Sequence, residues 1–439
     1  MSGVTLPSNN FSSAITDAFP NINRTYKVES GIASRYLRDY LPLNSNISNG
    51  NVNDSYIEFL LSGNAQEFID LNSFAIEIKI KIKKSDETPL GVDSKISLVD
   101  GFGHRLLSSS SLFLNGVPVE TSTNFGLMST INSYLSMPKS NLTDIGRSMY
   151  YKSIDDEIYN KVTGDYFTKS SISEKEIQAD CKNILHLMVP ISFEVSTSNV
   201  YLTNGVDMRI RFELAHPKML IKTCDNAEYV YTIESVKLWV QKILPDTNAL
   251  FSLNKNLLHN NLSIEYVYER PIIKTYIFSQ GQSIFMQDDL FCGLIPSRIH
   301  IFFIRQSAMD GNYKENGAYL EHCNISSLQL QVNGNIVASL NSSFPNHVAN
   351  VFHHTLMNLQ NGKHLLTLKN FKQGRTIFSF DLKNSDCRDV LPLEKSGNLR
   401  LGIQVNTPCI ENYVVFICGI TNGLLEIDSA KRVKTAFLL

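Results

Sequence analysis

Three histidines lie close together, at His347, His353 and His354, and imidazoles are common zinc ligands. They fall on a short stretch of helical spacing, with no carboxylate at ligand spacing and no second cluster to complete a site. They therefore read as interface or surface histidines. Paired carboxylates serve general acid-base catalysis or calcium, and the chain offers Asp155-Asp156-Glu157 and Asp288-Asp289. Both sit in Asn- and Ser-rich stretches, where a solvated face is expected. Gly101-Phe-Gly103-His-Arg-Leu106 lacks the third glycine of a dinucleotide turn, and Gly362-Lys363 runs into His364 with no phosphate loop upstream. No GxSxG elbow or Cys/His nucleophile pairing is present. The seven cysteines, at 181, 224, 292, 323, 387, 409 and 418, are scattered and never form a CxxC pair, so reduced core thiols are expected, without disulfides or zinc. The residues thus predict no catalytic group, no metal site and no cofactor: a protein that is not an enzyme.

Basic residues give little more. Lys79, Lys81 and Lys83 share one side of a strand pattern, with Lys84 at its end, but Glu77 interrupts the stripe and a solvated face is expected there. Lys431-Arg432-Val-Lys434 reads the same way. Trp239 and the many Phe and Tyr residues fall in strand patterns and are expected in the core.

The chain that must position these residues has 439 residues and a mass of 49.4 kDa, enough for two domains or three. Hydrophobic residues make up 43% and charged residues 19%, which excludes a disordered protein. Lys+Arg 40 against Asp+Glu 42 leaves a net charge of -2, so no global footprint for nucleic acid or an anionic membrane exists. The opening MSGVTLPSNNF lacks the pattern of a secretory signal, and no apolar run reaches the ~18 residues of a membrane span. A soluble protein made in the cytosol is expected. The Asn-x-Ser/Thr sequons, at Asn46 and Asn141 among others, are set aside on the same ground.

The dominant local signal has period two. From Ile76 to Ile82 apolar and charged residues alternate without a miss, as a half-buried strand requires. Met208 to Leu214, Ile233 to Val240 and Leu399 to Val405 repeat the pattern, and the apolar runs Ile301 to Ile304 and Tyr413 to Ile420 suit strands buried on both faces. Asn115-Gly116 and Asn333-Gly334, 218 residues apart, each sit between strand patterns and favour a tight hairpin. Each hairpin is followed by helical spacing, through Leu127, Met128, Ile131, Tyr134 and Leu135 in one half and Val348, Val351, Phe352, Leu356 and Leu359 in the other. Met208 and Leu399 extend the parallel at an offset of 191, which leaves 27 surplus residues in the first half. The polar stretch 139–182 accounts for them. The order predicts a tandem duplication of one all-β unit with a long insertion in the first copy, outside the sandwich. Residues 1–50 read as an arm that orders only against a neighbour, 51–245 as the first unit, 246–270 as a linker and 271–439 as the second unit.

The stretch Gly281-Gln-Ser-Ile-Phe-Met-Gln-Asp-Asp-Leu-Phe-Cys-Gly-Leu-Ile-Pro296-Ser-Arg298-Ile, running on through Ala308-Met-Asp310-Gly311-Asn-Tyr313 to Asn333-Gly334, resembles the hexon-type major capsid proteins of Maverick (polinton) elements and adintoviruses. Tyr56-Ile-Glu-Phe, Phe68-Ile-Asp70-Leu and Leu112-Phe-Leu-Asn-Gly116 are similar as well. The resemblance implies two tandem antiparallel jelly-roll sandwiches, a double jelly roll with short helices and one long loop insertion. It further implies a homotrimer forming a pseudo-hexagonal capsomer, neighbouring capsomers, a pentameric vertex (penton) protein and minor capsid proteins as partners. An icosahedral virion would enclose double-stranded DNA without sequence-specific binding. For this group 439 residues is compact, so the loops that form outer towers must be short except at 139–182. Two rival readings follow from the residues: a jelly-roll carbohydrate- or ligand-binding module, and a two-domain hydrolase that would need titratable groups converging in one cleft.

Overall fold

A computed structural model describes residues 31–44, 56–86, 96–138, 149, 184–223, 227–259, 263–341, 344, 346–359, 364–383 and 395–437. In the first half, β1 (Ile32–Tyr40), β2 (Tyr56–Leu61), β3 (Phe68–Ile69), β4 (Ala75–Lys84), β5 (Ile96–Leu98), β6 (Leu107–Leu114), β7 (Val117–Ser122), β8 (Ile184–Pro190), β9 (Met208–Leu214), β10 (Ile221–Thr223) and β11 (Tyr229–Pro245) follow in order. Helices α1 (Phe102–Arg105), α2 (Phe125–Ser136) and α3 (Pro217–Leu220) lie among them, and α4 (Thr247–His259) follows β11. The second half holds β12 (Ile264–Phe278), β13 (Ile284–Gln287), β14 (Leu294–Ile295), β15 (Arg298–Arg305), β16 (Ile325–Val332), β17 (Asn335–Asn341), β18 (Phe378–Asp381), β19 (Lys395–Ser396), β20 (Leu399–Val405), β21 (Tyr413–Ile427) and β22 (Val433–Phe437). Its helices are α5 (Gln306–Met309), α6 (Val348–Met357) and α7 (Leu368–Lys372).

The sheets repeat one plan. The first half pairs β1-β11-β4-β8 in one sheet and β2-β9-β6-β7 in the other; the second pairs β12-β21-β15-β18 and β13-β20-β16-β17. Every named pairing is antiparallel, and the Asn-Gly hairpins take corresponding places, β6–β7 and β16–β17. The chain is thus a double jelly roll, two sandwiches of the same strand order in tandem. In β4, Ile76, Ile78, Ile80 and Ile82 are all fully buried while Glu77, Lys79 and Lys81 point outward, as a period of two dictates. In β15, by contrast, Ile299 to Ile304 are buried without a break, so both faces of that strand are covered. Phe302 stacks on Phe416 of β21 with centroids 5.0 Å apart, and Phe303 meets Phe378 of β18 edge-on at 6.2 Å.

Three stretches differ from their sequence reading. Ile32–Tyr40, inside the expected arm, is an edge strand paired with β11 from Ile32↔Pro245 to Tyr40↔Leu238. Its side chains are mostly exposed, so the apolar periodicity that marks a strand is missing even though the backbone pairs. The expected linker 246–270 holds α4 and the start of β12. Trp239 stands on the outer face of β11, half-buried, and donates its indole N–H to Glu77 at 2.9 Å. Of the insertion 139–182 only Met149 is described; it is buried, and its carbonyl accepts from the Gly103 N–H at 3.0 Å.

Both hairpins turn through left-handed backbone, with φ of 48° and 79° at Asn115 and Gly116 and 50° and 83° at Asn333 and Gly334. A Cβ added at either glycine would meet nothing within 4 Å, so the only cost of alanine there is backbone strain. Gly116→Ala and Gly334→Ala should therefore each lower the unfolding free energy by about 1–2 kcal/mol, read from urea denaturation.

The seam between the two rolls as candidate functional site

Each roll completes its core with residues from the other. The first core takes in Tyr266 and Tyr268 of β12, Ala318, Leu425 and Ile427 of β21 and Val433 of β22. The second takes in Leu127, Met128, Ile131, Tyr134 and Leu135 of α2 together with Met149. The strands responsible are long: β12 and β21 pair over fifteen residues, from Ile264↔Ile427 to Phe278↔Tyr413, and run past the second core into the first. Helix α2 is apolar nearly all round because one side faces its own roll and the other the neighbour. It lies so close to α1 that a Cβ at Gly126 would come within 2.5 Å of the His104 carbonyl oxygen and 2.6 Å of that of Leu107. Glycine is needed there for approach, not for conformation.

At the centre of the seam Arg375, from the turn after α7, reaches Asp100 in the first roll, Nη2 to Oδ2 at 2.5 Å. The two side chains are 1% and 0% exposed. The Tyr134 hydroxyl donates to the same Oδ2 at 2.7 Å, and the guanidinium lies over the Tyr134 ring at 4.5 Å. The Tyr134 carbonyl in turn accepts from the Leu365 N–H at 2.9 Å. Burying a charge is tolerated only with such a full set of partners, so this set fixes one arrangement of the rolls.

Two further contacts flank it. Buried Lys222 of β10 donates to the carbonyls of Asn312 at 2.9 Å and Lys218 at 3.3 Å, while Tyr313 donates its hydroxyl to the Tyr229 carbonyl at 2.7 Å. Burial, with Arg105 nearby, pulls the Lys222 ammonium down to about 7. Past β21, Lys431 reaches back to Thr203 Oγ1 at 3.1 Å and Asn204 Oδ1 at 3.0 Å, and its carbonyl accepts from the Asn115 side chain at 2.7 Å. Lys431, expected on a solvated basic tail, is thus a peg joining the rolls.

A cavity of about 530 Å³ also opens on the seam, lined by Glu120, Glu194, His104, His300, Met128 and Leu359 among others. The Glu194 N–H donates to Glu120 Oε2 at 2.6 Å. Burial pushes both carboxyls up, Glu194 to about 7, with the Arg270 guanidinium opposing. Glu269 on the same wall is paired with Arg298. Burial drives His104 down to about 4 and His300 to about 3, and each ring is committed to a bond, with the Pro190 carbonyl at 2.9 Å and Ser379 Oγ at 2.8 Å. Titratable groups do converge here, and their bonds run to the protein's own backbone and side chains.

The residues that drew attention in the sequence are dispersed. Gly101 starts α1 at φ 67°, and Gly103 and His104 are buried within that helix. His347 precedes α6, His353 points outward, and His354 packs on Phe380 at 5.3 Å. Asp288 pairs with Arg400, and Asp289 caps the turn at Gly293. Cys409 and Cys418 are buried, the latter thiol pushed up to about 12, but Cys292 is exposed on a left-handed turn, where no core contact holds it. Cys181, Cys224, Cys387, Asp155 to Glu157, and Gly362-Lys363 lie outside the described residues. Among the described residues no three His, Cys, Asp or Glu side chains gather as a metal site would require, and no helix is long and apolar enough to cross a membrane.

No protein-family model and no curated protein matches the sequence. Solved structures do match its fold, and they are double jelly-roll capsid proteins of viruses. A chain of the Sputnik virophage particle aligns over 100% of this chain and 93% of its own at 12% identity, with a TM-score of 0.64. The mavirus major capsid protein aligns over 100% and 96% at 11% identity and a TM-score of 0.55, and the faustovirus major capsid protein over 93% of each chain at 7% identity and 0.56. At such identities the likeness is one of fold.

Removing Arg375 strands a buried carboxylate. Arg375→Met should lower the unfolding free energy by about 3–5 kcal/mol, and adding Asp100→Asn should recover most of that loss, both read from urea denaturation. A pH series tests the cavity. Because the folded pKa of Glu194 is raised, the folded state holds the extra proton, so this contribution is full below about 4.5 and lost as pH rises through about 7. Glu194→Gln should flatten the fall in unfolding temperature over that range.

Proposed function

We propose that this protein is a structural major capsid protein, without catalytic activity, that trimerises into pseudo-hexagonal capsomers and self-assembles into an icosahedral shell around double-stranded DNA. The observation that carries the reading is the repeated sheet order, β1-β11-β4-β8 with β2-β9-β6-β7 and β12-β21-β15-β18 with β13-β20-β16-β17, held in one rigid pair by the buried Arg375–Asp100 contact. Three such chains supply six similar units, which tile a near-hexagonal lattice. The mavirus and faustovirus likenesses support the same role, since both are major capsid proteins. The segments around 281–334 and 56–116 place the chain nearest the Maverick (polinton) and adintovirus capsid proteins. Neighbouring capsomers, a pentameric vertex protein and minor capsid proteins are its partners, and its site of action is the virion. A net charge of -2 suits a shell that touches DNA without reading its sequence.

Light scattering after size exclusion tests this directly. The expected mass is three times 49.4 kDa, or 148.2 kDa. A 49.4 kDa monomer at every salt concentration and pH tried would overturn the capsomer reading and favour a jelly-roll ligand-binding module.

A further inference from the structure

The four large sheets have eight edges, and seven are protected in the ways that keep edge strands from pairing with strangers. In the first roll β1 carries Arg35, Arg38 and Asp39, β8 carries His186 and Pro190, β2 carries Glu58, and β7 carries Pro118 and Glu120. In the second roll β12 carries Pro271 among four charged residues, while β18 and β13 are only four residues long. The eighth edge is β17, Asn-Ile-Val-Ala-Ser-Leu-Asn, seven residues with neither charge nor proline. It pairs with β16 alone among the described strands, and Ile336 and Val337 are 58% and 48% exposed.

The duplication supplies an internal control. The counterpart of β17 is β7, whose turn is covered by Asn115 bonding to the Lys431 carbonyl beside β22. The sheet that ends in β17 is also weakly charged on its outer face, where Gln329, Gln331 and Gln404 stand, with Arg400 answered by Asp288. The corresponding face of the first roll carries Arg209, Arg211, Glu58 and Glu213. An edge of this kind favours an extended, uncharged occupant, since a charged strand would lose solvation there without a partner.

The chain holds such a segment. Its first sixteen residues, MSGVTLPSNNFSSAIT, contain no charge, the first being Asp17, and Val4, Leu6, Phe11 and Ile15 supply apolar side chains. The described chain begins next to β1, and the roughly 20 residues between Ile32 and the middle of that segment reach up to about 65 Å when extended. A folded chain of this length is about 60 Å across, so β17 of the same copy or of an adjoining copy is within range. We propose that the uncharged segment 1–16 adds as a strand to the open edge of β17. This is a strand-addition site, independent of whether the protein builds a shell.

Hydrogen exchange on the full chain and on a chain lacking residues 1–16 tests the assignment. Peptides covering 335–341 should exchange about ten-fold more slowly in the full chain, with β4 as an unchanged reference. A synthetic peptide of residues 1–16 should restore the protection in the truncated chain and fail to do so in its Ile336→Lys/Val337→Lys variant. Protection that survives dilution assigns the segment to its own copy, and protection lost on dilution assigns it to a neighbour. Equal exchange at 335–341 in both chains would overturn the proposal, as would a loss of protection shared equally by β4.

Discussion

A guanidinium sealed between two β-sandwiches is the constraint on which the rest of this molecule turns. Arg375 cannot leave the carboxylate of Asp100 without stranding a charge in a region from which water is excluded. Tyr134 is held by both partners, so the position of α2 is set by the same contact, and with it the close approach at Gly126. Hydrophobic burial brings the rolls together, but burial alone is non-directional. The buried polar set picks one orientation from the many that would bury similar area. A shell subunit needs that, because an angular error within one subunit is multiplied around a closed lattice.

The exchange of core residues makes the two rolls a single body in spite of their separate sheets. The first sandwich has no complete core without Leu425, Ile427 and Val433, and the second none without Leu127, Met128 and Ile131. Corresponding sheets have nonetheless diverged at their surfaces. The outer face of β2 and β9 carries the Arg209–Glu58 pair and Arg211 over Tyr56, while the matching face of the second roll shows glutamines and the exposed apolar residues Ile284 and Met286. Identical topology with unlike surfaces gives a subunit two different sides, as heterologous contacts around a ring require.

Most of the sandwich scaffold was legible in the sequence. The alternation of Ile76 to Ile82 and the Asn-Gly turns depend on neighbours close in sequence, so their signal survives in the linear order. The double jelly roll and its strand order followed from these and from the family resemblance. Strand β1 was not legible, because an edge strand exposed on both faces leaves no apolar period. Nor was the seam. Arg375 and Asp100 are separated by 275 residues, and nothing beside either of them marks a buried ion pair. Lys431 looked like one of several basic residues near the end of the chain, and Lys222 like an ordinary strand residue. Their roles come from partners supplied by the other roll, and such partners have no fixed spacing in sequence.

The sharing of cores also sets a timetable for synthesis. The last strands to emerge from the ribosome, β21 and β22, are part of what closes the first roll, so the first half cannot finish folding before nearly the whole chain has been made. Contacts such as Asn115 to Lys431 span 316 residues and form only at that stage. A truncated product lacking the last strands would therefore expose an unfinished sandwich and be open to chaperones and proteases. Completion of the chain acts as the molecule's own quality control, since only a full-length copy acquires the rigid shape that can associate with its fellows.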